Sequence, residues 1–356
     1  MKRIGFATVL VATAALGTAL AAQPTKTPTK APAPVTAPAA APAGAPAKPA
    51  LVIDRNLLKV QVILDHLGFS PGILDGQRGM SLTAAIKGFQ ESRGLPATGD
   101  VDQATAQALK PYAAMEATKT LTLNAATLTY NYTNPIPHGE DEQAKLPALN
   151  YKTPIEKLAE QFHTTPEVLT ALNGPQLTIA AGTKMVFPNA LPTSRAYDPK
   201  LPADWRQTLA MLNVDANQPQ AAKVVVSKHD KVLRAYDAAG KLIAQFQVTT
   251  GSTHDPLPIG TWKIYGADYN PKFRYNPALF WDAKKSDVKA MLPSGPNGPV
   301  GVVWLTLSKE HYGIHGTPAP ELIGRTESHG CVRLANWNAA RLAMMVKPGT
   351  PAIFQE

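Results

Sequence analysis

The chain has 356 residues, a length that implies two or three domains, and 35 Lys and Arg against 26 Asp and Glu give a formal charge of +9. Its one cysteine excludes an intrachain disulfide framework, and 44% hydrophobic residues exclude a wholly disordered chain. Residues 1–22 read as a secretory signal: Lys2 and Arg3 precede an apolar run from Ile4 to Leu20, and Ala19-Leu20-Ala21 offers a small-x-small cleavage site. The rival reading is an uncleaved anchor. Residues 23–50, almost wholly Ala, Pro, Thr and Lys, read as an extended solvated linker. Export places the protein in the periplasm or cell envelope, associated with the wall. There a basic chain meets wall polymers or membrane surfaces, and nucleic acid is not an expected partner.

Residues 54–112 form a small helical unit by their spacing. Leu57, Val60, Leu64 and Leu67 recur at helical intervals up to Gly68, and Leu82, Ala85, Ile86 and Phe89 repeat the pattern up to Gly94. A third short helix is expected from about Asp102 to Leu109. The order LGFSPGILDGQRG, then Thr83 with Phe89-Gln90, then GLPATGDVDQAT, resembles the three-helix peptidoglycan-binding domain, which implies wall binding. The alternative is a structural module without a ligand. Beyond it, alternation across Thr120–Tyr132 suggests a strand or hairpin.

Residues 148–189 resemble a LysM-like module of α+β type. Ile155, Leu158, Ala159 and Phe162 fit a first helix, and Pro166 opens a second that carries Val168, Leu169 and Leu172. Ile179 and Met185–Phe187 fit flanking strands. Lys152-Thr153-Pro154 stands where the family has Gly-Asp-Thr, so the module either binds glycan or only packs on its neighbours.

From residue 221 to 356 the pattern turns to β. Val224–Ser227, Val232–Tyr236, Leu242–Thr249, Gly260–Tyr265, Val302–Leu307 and Tyr312–His315 are the expected strands. One helix is expected from Asn336 to Val346, with Leu342 and Met345 inward. The fold class is therefore multidomain: a mainly β catalytic domain preceded by a three-helix domain and an α+β module.

The lone thiol, Cys331, follows His315 by 16 positions and His329 by two, in Tyr312-Gly313-Ile314-His315-Gly316 and Ser328-His329-Gly330-Cys331-Val332-Arg333. A thiol becomes a strong nucleophile beside a base, and a free exported thiol that does no work is an oxidation liability. Gly330 allows close backbone approach to a substrate. His311, His315, His329 and Cys331 are also zinc-ligand types, but Gly313 and Ile314 argue against the helix that would join His311 to His315, so no metal and no cofactor is expected.

These residues resemble the L,D-transpeptidase signature, and Leu257-Pro258-Ile259-Gly260-Thr261-Trp262 and Pro299-Val300-Gly301 agree with it. The resemblance implies a β-sandwich with a short helix, in which Cys331 is the nucleophile and His315 its base. It implies that the Gly316 carbonyl orients His315, that the Gly330 and Cys331 amides hold an oxyanion, and that His329 lines the site. Arg333 would contact a substrate carboxylate or brace the loop, and Ser328 would brace the loop. The implied reaction is acyl transfer from a peptidoglycan tetrapeptide stem to an amine, either another stem or a lipoprotein lysine, with carbapenem-type inhibitors acylating the same thiol. Two alternatives remain: an L,D-carboxypeptidase using the same cysteine, and a non-catalytic protein that binds glycan and stem peptides.

Overall fold

A computed structural model describes residues 51–356, so the expected signal and linker lie outside the described residues. The first unit holds α1 (Arg55–His66), α2 (Met80–Ser92) and α3 (Gln103–Leu109). Asp54 caps α1 by accepting the Asn56 and Leu57 N–H groups, and Asp102 caps α3 through Thr105. Leu64, Leu82, Ile86, Phe69 and Phe89 fill the core between them. Gln90 is fully buried and explains the Phe-Gln pair. Its Nε2 donates to Thr98, Asp100 and Thr105, and its Oε1 accepts from Gly99, so one side chain fastens the following turn and the start of α3.

The second unit comprises β1 (Thr118–Thr122), α4 (Ala125–Leu128), α5 (Glu140–Gln143), α6 (Pro154–Gln161), α7 (Pro166–Asn173) and β2 (Lys184–Pro188). The hairpin expected within 120–132 does not form. β1 stops at Thr122 and pairs antiparallel with β2, Thr120 opposite Val186. Ile179 lies outside any strand and packs half-buried on the unit's core. The two-stranded sheet therefore extends this unit back to Thr118, because Leu121 and Leu123 join Leu158, Phe162, Leu169, Met185 and Phe187. A half-buried alternating run reports a strand but not its partner, and here the partner lies beyond four helices.

The C-terminal region begins with α8 (Ala203–Met211), whose Trp205 and Leu209 are fully buried against the sheet. It continues with β3 (Lys223–Ser227), β4 (Val232–Tyr236), β5 (Leu242–Gln247), β6 (Gly260–Tyr269), β7 (Phe273–Tyr275) and β8 (Ala290–Leu292). The last elements are β9 (Val303–Leu307), β10 (Gly313–His315), β11 (Val332–Arg333), α9 (Asn336–Met345) and β12 (Pro351–Gln355). The main sheet runs β11-β10-β9-β6-β12-β3-β4-β5, with β7 and β8 as a separate pair. The expected sandwich thus appears as one hydrogen-bonded order of eight strands. β6 is its reason: residues 260–263 pair with β12 and residues 264–269 with β9, with a register shift between Ile264 and Gly266. Leu342 and Met345 of α9 are fully buried, as their spacing predicts.

The units are joined by hydrogen bonds and a buried ionic cluster. Ser70 N–H donates to the Gln245 carbonyl at 2.9 Å and Gln245 N–H to Gly68 at 3.0 Å, so the turn after α1 adds a short bridge to edge strand β5. Arg341 of α9 donates to Asp65 of α1, whose carboxylate also lies 2.8 Å from His163 Nδ1. The other ring nitrogen of His163 lies 2.9 Å from the Leu212 carbonyl. Both nitrogens face acceptors, an arrangement satisfied by a ring that donates from each. Burial alone would push the Asp65 carboxyl up, but Arg341 and His163 outweigh it and hold the group well below the usual carboxylate range.

Candidate active site

β10 and β11 build the site. They pair in parallel, with Ile314 opposite Val332 and His315 opposite Arg333. Side chains alternate along a strand, so the register puts His315 and Arg333 on one face. Cys331 sits in the bend just before β11, two positions ahead of Arg333. Cys331 is half-buried, and its sulfur contacts the His311 carbonyl at 3.9 Å. Arg333 links the two groups, its charge acting on both the thiol and the imidazole, and no hydrogen bond joins sulfur to ring.

His315 is buried, and its Nδ1 donates to the Gly316 carbonyl at 2.7 Å, which leaves Nε2 without the proton. The Trp304 ring, across the ladder on β9, stacks on it at 5.2 Å and 18°. Burial, with Arg333 as the second cause, lowers the His315 pKa to about 3 against the hydrogen bond it donates to the Gly316 carbonyl. Burial pushes the Cys331 thiol up, opposed by a backbone hydrogen bond from Gly313 and by the Arg333 charge. The resting pair is therefore neutral thiol and neutral imidazole. Such a pair suits general-base chemistry rather than a standing ion pair.

Gly316 has a second constraint besides its carbonyl. A Cβ there would meet Asn336 Oδ1 at 2.1 Å. Asn336 is fully buried; its Nδ2 donates to Glu160 of α6 and to the Pro296 carbonyl, and its Oδ1 accepts from Val302. Glu160 also takes the Tyr151 hydroxyl, and burial raises its pKa to about 7. A chain of contacts thus runs from the second unit through Asn336 and Gly316 to the base.

Gly330 has φ +91, and a Cβ there would lie 2.5 Å from the Tyr312 ring. Among the described residues neither the Gly330 nor the Cys331 amide N–H donates to a protein acceptor, so both are free to receive an oxyanion. Ser328 is buried and its hydroxyl donates to the Cys331 carbonyl at 2.6 Å, while its amide donates to Thr250. It fastens the loop that carries Cys331. His329 turns to Asp282, with Nε2 2.8 Å from Oδ1, under the edge of Phe280. Its Nδ1 is buried with no partner. Arg333 makes no ion pair among the described residues, and its Nε is buried and unpartnered. Burial lowers its pKa, against the charges of Cys331 and Asp282.

Asn336 and Asp282 escaped the sequence reading. Asn336 gives no signal, because its work depends on Gly316 and Glu160, which only the fold brings near. Asp282 gives a faint one, as an acid beside Phe280-Trp281 in an exposed Lys-rich segment.

A half-buried thiol, a singly donating imidazole on the adjoining strand and two amides without protein acceptors are the kinds of group that thioester chemistry uses. Residues 221–354 match the L,D-transpeptidase catalytic domain, and residues 54–109 match the family described as "Putative peptidoglycan binding domain". The chain is 27% identical over 201 residues to the "Putative L,D-transpeptidase YkuD" of Bacillus licheniformis, covering 55% of this chain and 90% of that one. It is 43% identical over 134 residues to the "Probable L,D-transpeptidase YbiS" of Escherichia coli K12, covering 37% of this chain and 44% of that one. An L,D-transpeptidase structure from Mycobacterium smegmatis is 20% identical over 37% of this chain and 58% of its own, at a TM-score of 0.31, a likeness too distant to carry an argument. Residues 221–354 are thus similar to an L,D-transpeptidase catalytic domain, and residues 54–109, before them, to a peptidoglycan-binding domain.

Proposed function

We propose that the protein is an exported L,D-transpeptidase that cross-links peptidoglycan stems, or attaches a lipoprotein lysine to them, through a thioester on Cys331. The observation that carries this reading is the register of β10 on β11, with its free Gly330 and Cys331 amides. Cys331 attacks the carbonyl of the stem's third residue while His315 Nε2 takes the thiol proton. The two amides hold the oxyanion, and His315 returns its proton to the departing D-alanine amine. Arg333, with no acidic partner, receives the donor carboxylate. His329 lines the site, held by Asp282.

The first unit holds the enzyme to its polymer, and the β1-α6-α7-β2 unit is a LysM-like module that supports the base through Glu160. The charged, apolar start of the chain supports export, and among the described residues no helix is long and apolar enough to cross a membrane. Carbapenems, as strained acylating agents, are expected to label the same sulfur. Intact-protein mass after incubation with a disaccharide-tetrapeptide tests the reading. The expected result is an acyl-enzyme that resolves to a cross-linked dimer and is absent in Cys331→Ser. Acyl-enzyme on the serine variant at the wild-type rate would place the nucleophile elsewhere. Release of tripeptide alone, with acceptor in excess, would make the protein a carboxypeptidase.

A further inference from the structure

Acyl transfer to an amine needs a second substrate that carries a positive charge at neutral pH. Arg333 suits the donor's carboxylate, but no group described above receives a cation. The segment after β5 supplies one. Gly251 bridges Ser328 in parallel, the Ser328 amide donates to the Thr250 carbonyl at 2.9 Å, and the Ser252 amide donates back to Ser328 at 3.1 Å. The Ser252 hydroxyl then accepts the amides of His254 and Asp255 at 3.2 and 3.0 Å. This turn fixes Asp255 against the loop that carries Gly330 and Cys331. Tyr312, whose ring lies against Gly330, feels the charges of both Asp255 and Cys331 after the larger effect of its own burial.

Asp255 Oδ2 is buried and has no partner. The other acids nearby are differently placed: Asp282 is taken by His329, and Glu310 lies beside the exposed His311. Lys309 sits 5.9 Å over the Tyr312 ring and makes no ion pair with Asp255. A buried carboxylate oxygen with no donor costs free energy unless something arrives to fill it. We propose that Asp255 is the cation-recognising group of the acceptor subsite and holds the alkylammonium of the incoming amine beside the Cys331 thioester. This rests on the acyl-transfer reading and specifies which side of the thiol the acceptor enters.

In the step, the held ammonium releases one proton to solvent. The neutral amine attacks the thioester carbonyl, a C–N bond forms and the C–S bond breaks, and sulfur leaves with the electron pair. The second amine proton passes through His315 to that sulfur, restoring thiol and imidazole. Water carries no such charge, so Asp255 favours amine over hydrolysis.

The test uses the full chain with a preformed stem acyl-enzyme. Its aminolysis is followed by mass with two nucleophiles: Nα-acetyl-lysine amide, a cation at neutral pH, and hydroxylamine, which is uncharged there. In Asp255→Asn the ratio of the lysine rate to the hydroxylamine rate should fall roughly ten- to a hundredfold, the worth of a charge-assisted hydrogen bond. Asp255→Glu should restore part of it. A ratio equal to wild type in Asp255→Asn overturns the inference, as does an equal loss for both nucleophiles. A wild-type protein that takes no acyl group from the stem overturns the acyl-transfer reading itself.

Discussion

Two buried histidines, His163 and His315, show how surroundings divide one side chain into two trades. His163 has an acceptor on each ring nitrogen and an aromatic ring, Trp337, stacked at 5.1 Å. Both nitrogens are engaged by protein acceptors, so the ring fastens the cluster. His315 is likewise buried and stacked on a tryptophan, yet only Nδ1 is engaged, and the adjacent charged group is the Arg333 guanidinium rather than a carboxylate. Its second nitrogen is left to do chemistry. The lesson is that burial and stacking do not distinguish a working histidine from a structural one; the count of satisfied nitrogens does.

The largest effect expected from breaking this contrast is at His315. His315→Ala should slow acylation of Cys331 by roughly a hundred- to ten-thousandfold, the range of a lost general base. The rate of mass gain with a carbapenem measures it. Arg341→Ala should do the reverse. It strips a cation from buried Asp65 and should cost about 3–5 kcal/mol of stability by denaturant titration. Loss of acylation at His315 and of stability at Arg341 would be interchanged if the two trades were misassigned.

A pH profile sharpens the comparison further. With its pKa near 3, His315 stays neutral on acidification, so the acylation rate should show no inflection between pH 7 and 5. A fall centred near the usual imidazole range would mean the base is more solvated than its burial implies. Glu160 gives the smallest expected effect. Its folded pKa, about 7, lies above its ordinary value of 4.5, so the contribution is fully present below that value and is lost as pH rises through 7. Glu160→Gln keeps an acceptor for Asn336 and should flatten the fall in stability between about pH 5 and 7. Melting curves across that range for both proteins give the answer.

Features that rest on neighbours in the chain could be read from the sequence. The helical spacing of Leu82, Ala85, Ile86 and Phe89, the proline that opens α7, and the strands at 223–227, 232–236 and 303–307 are local signals, and the structure has elements there. The thiol and its two histidines likewise stood within one short stretch. What required folding was pairing at a distance. β12 escaped notice although it sits between β6 and β3, and β1 could not name β2 as its partner. Asp255, Asp282 and Asn336 gain their meaning from Tyr312, His329 and Gly316, which no periodicity connects to them.

The bridge from Phe69 to Gln245 has a practical consequence for truncation. β5 is the last strand of the sheet, and the Gly68–Ser70 backbone fills part of its outer row of amides and carbonyls, with Gln245 Nε2 reaching further to Ala84. A fragment cut to begin near residue 221 would bare that row, and bare strand rims recruit other chains. Such a fragment should clump and lose activity for reasons unrelated to the wall. Wall affinity is better dissected by surface substitutions on α2 and α3, which leave the rim covered.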